Sequence, residues 1–185
     1  MTVLRIISGT RRGQKLLEFD GYDIRPTTDR VRESMFNLIC DFVYDAKVLD
    51  LFGGSGALSF EALSRGAKSS VICDNDKRSI SLISQNTKQL HFEDLVNINN
   101  IDAIQFLKIC KKKFDIIFLD PPYNKGFISP IIELIVKNQI LHDEGIIVLE
   151  SDFPDEHGEF EGLEVLKQRR YGRSYVTIYQ RGDRL

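Results

Sequence analysis

From residue 47 onward the chain alternates between short, almost uninterrupted apolar runs and longer stretches whose apolar residues recur at helical spacing. Strand–helix alternation of this kind dictates an α/β fold, a doubly wound and mostly parallel sheet covered on both faces, because strands buried on both sides lose the apolar–polar alternation. Lys47–Leu51 reads as a strand, Gly53-Gly54-Ser55-Gly56 as a turn and Ala57–Arg65 as a helix ended by Gly66. Strands are then predicted at Ser69–Asp74, Leu95–Asn99, Phe114–Leu119 and Gly145–Glu150. Helices are predicted at Lys77–Leu90, Ala103–Lys112 and Ile128–Val136. Leu163–Tyr171 and Tyr175–Arg181, separated by Gly172-Arg173-Ser174, read as a closing hairpin, so the last of seven strands should run antiparallel.

Ahead of this unit, residues 3–7 and 13–18 look like two short strands joined by a basic turn. Val31, Met35, Leu38, Ile39 and Phe42 then mark one face of a helix over residues 29–44, with Thr28 or Asp29 as its cap. The expected organisation is a small hairpin-plus-helix extension, 1–45, on a main domain, 46–185. There is no run of about 18 apolar residues to span a membrane and no secretory pattern at the start. Cys40, Cys73 and Cys110 are odd in number and widely spaced, which suits reduced thiols in a cytoplasmic protein. His91, His142 and His157 have no ligand spacing, so no metal site is expected. Lys111-Lys112-Lys113 reads as a solvated helix end.

The net charge of −2 hides a strong asymmetry. Residues 1–32 carry a net +3, residues 33–166 a net −10 and residues 167–185 a net +5. Basic ends around an acidic middle are the footprint of terminal segments that hold a polyanion. Arg11, Arg12, Lys15, Arg170 and Arg173 are the candidates for phosphate contact.

Three motifs carry chemistry. Asp50-Leu51-Phe52-Gly53-Gly54-Ser55-Gly56 lies between a strand and a helix, where doubly wound folds bind ligands. Ser59 stands where a dinucleotide fingerprint needs its third glycine, and the acid Asp50 suits a ligand that bears an ammonium group. That combination points to the methionine part of S-adenosylmethionine and away from NAD. Asp74 ends the next strand 24 residues later, near the spacing at which an acid takes ribose hydroxyls. Asp76 is its rival, and Asp102 suits an adenine amino group or a helix cap. The third motif, Asp120-Pro121-Pro122-Tyr123, follows a strand directly. Its prolines remove two donors, leaving the Asp120 carboxylate and the Pro121 carbonyl as acceptors for the two N–H groups of an exocyclic amine, with Tyr123 to stack on the base.

Asp120–Tyr123 resembles the (Asn/Asp)-Pro-Pro-(Tyr/Phe) signature of amino-methyltransferases acting on nucleic acids. The likeness extends over nearly the whole chain to the RsmD family. It runs through Arg5-Ile6-Ile7-Ser8-Gly9 with Arg12, Gly13, Lys15 and Leu16, then Arg25-Pro26-Thr27-Thr28-Asp29-Arg30-Val31-Arg32-Glu33. It continues in Asp50–Leu58, Glu61–Ala67 and Arg170-Tyr171-Gly172-Arg173. Gly53 and Asp74 stand where the family often has Ala and Glu. The resemblance implies a Rossmann-like class I methyltransferase that modifies the 2-amino group of one guanine in 16S ribosomal RNA, free or in an assembling 30S subunit, and acts as a monomer. It implies cofactor contacts at Asp50, Phe52, Gly53, Gly54, Ser55, Gly56, Asp74, Asn75, Asp102, Ala103 and Asp120. The same resemblance adds RNA contacts at Arg5, Arg25 and Arg30, and assigns the chemistry to Asp120, Pro121, Pro122 and Tyr123. Competing readings are amino methylation of adenine or cytosine in DNA or another RNA, and a non-catalytic RNA-binding assembly factor.

Overall fold

The computed structural model describes residues 4–19, 29–121, 128–152 and 158–182. Its elements follow in the order α1 (Asp29–Leu38), α2 (Cys40–Val43), β1 (Lys47–Asp50), α3 (Ala57–Ser64), β2 (Ser69–Asp74), α4 (Lys77–Leu90) and β3 (Val96–Asn100). Then come α5 (Ala103–Ile109), β4 (Phe114–Leu119), α6 (Ile128–Lys137), β5 (Leu141–Ser151), β6 (Leu163–Tyr171) and β7 (Ser174–Arg181).

The seven strands form one sheet in the order β3-β2-β1-β4-β5-β7-β6. β1 to β5 pair in parallel, while β7 is antiparallel to both β5 and β6. The expected hairpin is thus present, and its second strand lies inside the sheet with β6 at the edge. Two cores cover the two faces. One joins Val48, Ile72, Ile116, Phe118, Val148, Val176 and Ile178 to α1 and α3 through Met35, Phe36, Phe60 and Leu63. The other joins Leu49, Ile117, Leu119, Ile147 and Tyr179 to α5 and α6 through Leu107, Ile131 and Ile135. Leu4, Ile6 and Leu16 belong to the first core, so the N-terminal hairpin packs as part of this body.

Some local expectations change. Of the two strands expected there, the described residues 4–7 and 13–18 form one isolated antiparallel bridge, Arg5 with Lys15, and no longer ladder. The Ile6, Gly13 and Leu16 amides bond to carbonyls of the facing segment, while those of Ile7, Ser8 and Leu17 are taken by side chains of α3 and α4. The helix expected over 29–44 breaks at Ile39, whose ψ of 15° leaves helical geometry. α5 stops at Ile109 because Cys110 is extended (ψ 131°), so Lys111–Lys113 lead into β4 as irregular chain and are not a helix end. β5 begins at Leu141, ahead of Gly145, with a register shift opposite Phe114 and Ile116.

Candidate active site

The strand order reverses between β1 and β4, and ligands of doubly wound sheets bind outside the carboxyl ends of the strands at such a switch point. Asp50 ends β1 there, and Asp50 pairs in register with Phe118 of β4. Asp120 follows two residues on, about 7 Å further along the strand direction. It is half-buried, as is Pro121, directly after the end of β4. Pro122, Tyr123 and Arg25 lie outside the described residues.

The turn after β1 is built to bring backbone close to a ligand. Gly54 (φ 55°) and Gly56 (φ 83°) adopt left-handed conformations that side chains disfavour. At Gly56 a Cβ would come within 2.3 Å of the Phe60 ring. Gly56 caps α3 without a side-chain acceptor, so the first N–H groups of α3 point out into the site. The Gly53 N–H donates to the Cys73 carbonyl (2.9 Å), which holds the turn against β2. Phe52 and Ser55 are half-exposed beside it.

Three acids frame the turn in different ways. Asp74 is half-buried at the end of β2; its Oδ2 accepts the Gly54 N–H and its Oδ1 the Asp76 N–H, each at 2.8 Å. Asp74 therefore ties the turn to the second strand at the position expected of a ribose acceptor. Asp76, its rival, is the cap of α4: it accepts the Arg78 N–H and pairs with the Arg78 guanidinium, which hold its carboxyl below the ordinary range. Asn75 is exposed between them. Asp102 caps α5 by accepting from Ile104 and Gln105, and Ala103 is buried behind it.

Asp50 is sealed beneath the turn at 1% exposure. Its Oδ2 accepts the Ser59 hydroxyl (2.9 Å) and its Oδ1 faces the Phe52 N–H at 3.4 Å. Ser59 in turn accepts the Ser70 hydroxyl at 2.9 Å. Burial pushes the Asp50 carboxyl up to about 7, opposed by these hydrogen bonds and reinforced by the charges of Asp120 and Asp74. Sequence reasoning named Asp50 but missed Ser59 and Ser70. The available signal was Ser59 between Leu58 and Phe60, and Ser70 ahead of Val71-Ile72-Cys73, polar residues set among apolar ones that the structure buries.

The basic residues divide. Arg12, Lys15, Arg30 and Arg173 are exposed. Arg11 is partly spent on the fold: its guanidinium lies over Phe92 (5.3 Å) and its Nε donates to the Leu90 carbonyl. Arg5 pairs with Asp29, and Arg170 stacks on Tyr175. Helix α1 links the two basic ends. Its first residue, Asp29, binds Arg5, and the carbonyl of its last, Leu38, accepts from Lys167 of β6. The contacts are about 14 Å apart along the helix. Arg32 of α1, 1% exposed, binds Asp29 and the Arg5 carbonyl, and burial lowers its pKa.

Comparison with known proteins gives a consistent picture. A family model described as "Conserved hypothetical protein 95" matches residues 4–180. Ribosomal RNA small subunit methyltransferase D of Escherichia coli is 39% identical over 149 residues, covering 80% of this chain and 75% of that protein. The protein of the same name from Haemophilus influenzae is 33% identical over 180 residues, covering 96% and 93%. The solved structure of yhhF from Escherichia coli superposes with a TM-score of 0.89 at 33% identity, covering 99% of this chain and all of that one.

Proposed function

The chain belongs to the RsmD family of S-adenosylmethionine-dependent ribosomal RNA methyltransferases, and from that premise we propose that it methylates the exocyclic 2-amino group of a guanine in 16S ribosomal RNA. The observation that carries this reading is the placement of Asp120-Pro121 at the carboxyl end of β4, beside the glycine turn and across the switch point from Asp50.

The residues present fit the cofactor. The left-handed turn and the α3 N-terminus offer donors to its carboxylate, Asp74 offers an acceptor to its ribose, and Asp50 offers negative charge to its ammonium. When bound, S-adenosylmethionine supplies an electrophilic methyl carbon on a sulfonium. The guanine amine is a poor nucleophile because its lone pair is delocalised into the ring. The Asp120 carboxylate and the Pro121 carbonyl accept its two N–H bonds, which localises the pair and favours the positive charge that grows on nitrogen. Attack on that methyl would leave positive charge on the amine nitrogen, and Asp120 or water would take the proton that the nitrogen sheds. The base must leave its stack to reach this edge.

The exposed basic residues Arg12, Lys15, Arg30 and Arg173, with residues 1–45 as an RNA-contacting extension, hold the polyanion. Among the described residues no helix is long and apolar enough to cross a membrane. The assay is incubation with labelled S-adenosylmethionine and 16S ribosomal RNA, as free RNA and as 30S particles, followed by nucleoside analysis. N2-methylguanosine is the expected product. Methyladenosine or methylcytidine would replace the guanine reading with the adenine or cytosine alternative, and no incorporation on either substrate would leave the non-catalytic one.

A further inference from the structure

The N-terminal hairpin is fastened to the body largely by polar groups of α3 and α4. The fully buried Glu61 carboxylate accepts the N–H groups of Ile7 (2.7 Å) and Ser8 (3.0 Å). The Ser64 carbonyl and hydroxyl take those of Thr10 and Arg11, and Gln89 donates to the Lys15 carbonyl. Asn86 of α4 does something further. It is 0% exposed. Its Oδ1 accepts the Leu17 N–H at 2.7 Å, and its Nδ2 donates to the Leu17 carbonyl (3.2 Å) and to the Ser55 carbonyl (3.1 Å). Ser55 sits between the two left-handed glycines of the cofactor turn. One planar amide thus grips the outgoing end of the hairpin and the turn together.

The geometry makes this grip transmissive. The amide has one acceptor oxygen and two N–H hydrogens, and all three sites are used. Buried and fully satisfied, it has no second arrangement of equal energy, because a flip would set its oxygen against two carbonyls. A displacement of the Ser55 carbonyl must therefore either carry the Leu17 backbone with it or break a buried hydrogen bond.

We propose that Asn86 is a positioning residue that couples the two segments, so that cofactor in the turn orders the N-terminal hairpin for RNA and RNA on the hairpin tightens cofactor binding. The RNA half rests on the reading of the basic hairpin as an RNA contact. Linkage makes such an effect reciprocal, and couplings of this kind range over about 5- to 150-fold.

The test uses the full chain with S-adenosylhomocysteine and 16S ribosomal RNA as probes. In the wild type, S-adenosylhomocysteine should slow hydrogen exchange of the Ile6 and Leu16 amides, which bond to the Gln14 and Leu4 carbonyls within the hairpin. Saturating RNA should tighten its affinity, measured by equilibrium dialysis, by about fivefold or more. Asn86→Ala removes the whole link. Asn86→Asp keeps the acceptor for Leu17 but places oxygen against Ser55. In either variant that folds, both effects should fall to about onefold while each ligand alone still binds. A purely structural Asn86 predicts a lower melting temperature with the affinity ratio intact, and that result overturns the proposal. So does a wild type whose hairpin exchange ignores S-adenosylhomocysteine, a measurement that needs no variant to fold. If exchange responds in the wild type and not in the Asn86 variants, but RNA leaves cofactor affinity unchanged, the Asn86 link is upheld. The RNA half then falls, and with it the reading of the hairpin as an RNA contact.

Discussion

Replacing Asp50 by Asn should change stability in a way that depends steeply on pH. An aspartate ordinarily titrates near 4, and in the fold the Asp50 carboxyl is raised to about 7. The unfolded chain loses this proton first as pH rises, so the folded state binds more protons between pH 4 and 7 and stability falls across that window. Three pH units at 1.36 kcal/mol each give a penalty of about 4 kcal/mol above pH 7. At pH 5 the same linkage leaves roughly a third of it, so the wild type should lose about 2–3 kcal/mol from this group between pH 5 and 8. Asn carries no charge and escapes the loss, at the cost of about 1 kcal/mol for a poorer partner to the Ser59 hydroxyl. The variant should be roughly neutral at pH 5 and about 3 kcal/mol more stable than wild type at pH 8. The chain has no Trp, so urea unfolding is best followed by far-ultraviolet circular dichroism, in steps from pH 5 to 8.5. A stability difference that stays flat over that range, or one that shifts toward the wild type as pH rises, would refute the reasoning. An ammonium group seated against Asp50 would draw its titration downward, so cofactor binding near pH 7 should release protons in the wild type and not in Asp50→Asn.

Gly53→Ala introduces a Cβ 2.4 Å from the Ile72 side chain and 2.9 Å from that of Ile83. It should destabilise by about 1–3 kcal/mol, with partial recovery in the double variant carrying Ile83→Val, which removes the Cδ1 methyl that the new Cβ meets, read from denaturant midpoints. Asp120→Ala should cut the single-turnover methylation rate about 10²–10³-fold, by analogy with loss of one preorganised hydrogen-bonding group, with a smaller effect on RNA affinity. Asp120→Asn, which keeps an acceptor, should be milder, and full activity in folded Asp120→Ala would end the mechanism. Arg12→Ala with Arg173→Ala should lower the slope of log affinity for RNA against log salt by about two and leave cofactor affinity alone. Arg11→Ala should also lower the melting temperature, because that side chain packs on Phe92.

The parallel core was legible because its signal is local. Ser69–Asp74 and Phe114–Leu119 match their predicted bounds, since an apolar run in a doubly covered sheet needs no partner to be recognised. Asp74 and Asp120 stand out in the sequence as candidates because each directly follows or ends such a run. Spacing leaves Asp74 and Asp76 as rivals; the structure shows Asp76 turned to cap α4 and Asp74 bonded to the Gly54 amide. The N-terminal hairpin was half-legible. Its turn and apolar residues were visible, but the bonds from Glu61, Ser64 and Asn86 span 53 to 69 residues and leave no periodic trace. The break at Ile39 and the early stop of α5 were hidden because helix ends depend on one or two dihedrals that composition constrains weakly.

The insertion of β7 between β5 and β6 has a consequence for the order of folding. β6 precedes β7 in the chain, yet its neighbour in the sheet is β7. When β6 emerges it has no strand to join, and the inner edge of β5, Ile146–Ser151, waits with unpaired backbone groups on a strongly apolar strand. Closure of the sheet is therefore a late, single event in which β7 satisfies both neighbours at once. Until then the half-built sheet presents a sticky edge to other chains, an aggregation hazard that closure by β7 removes.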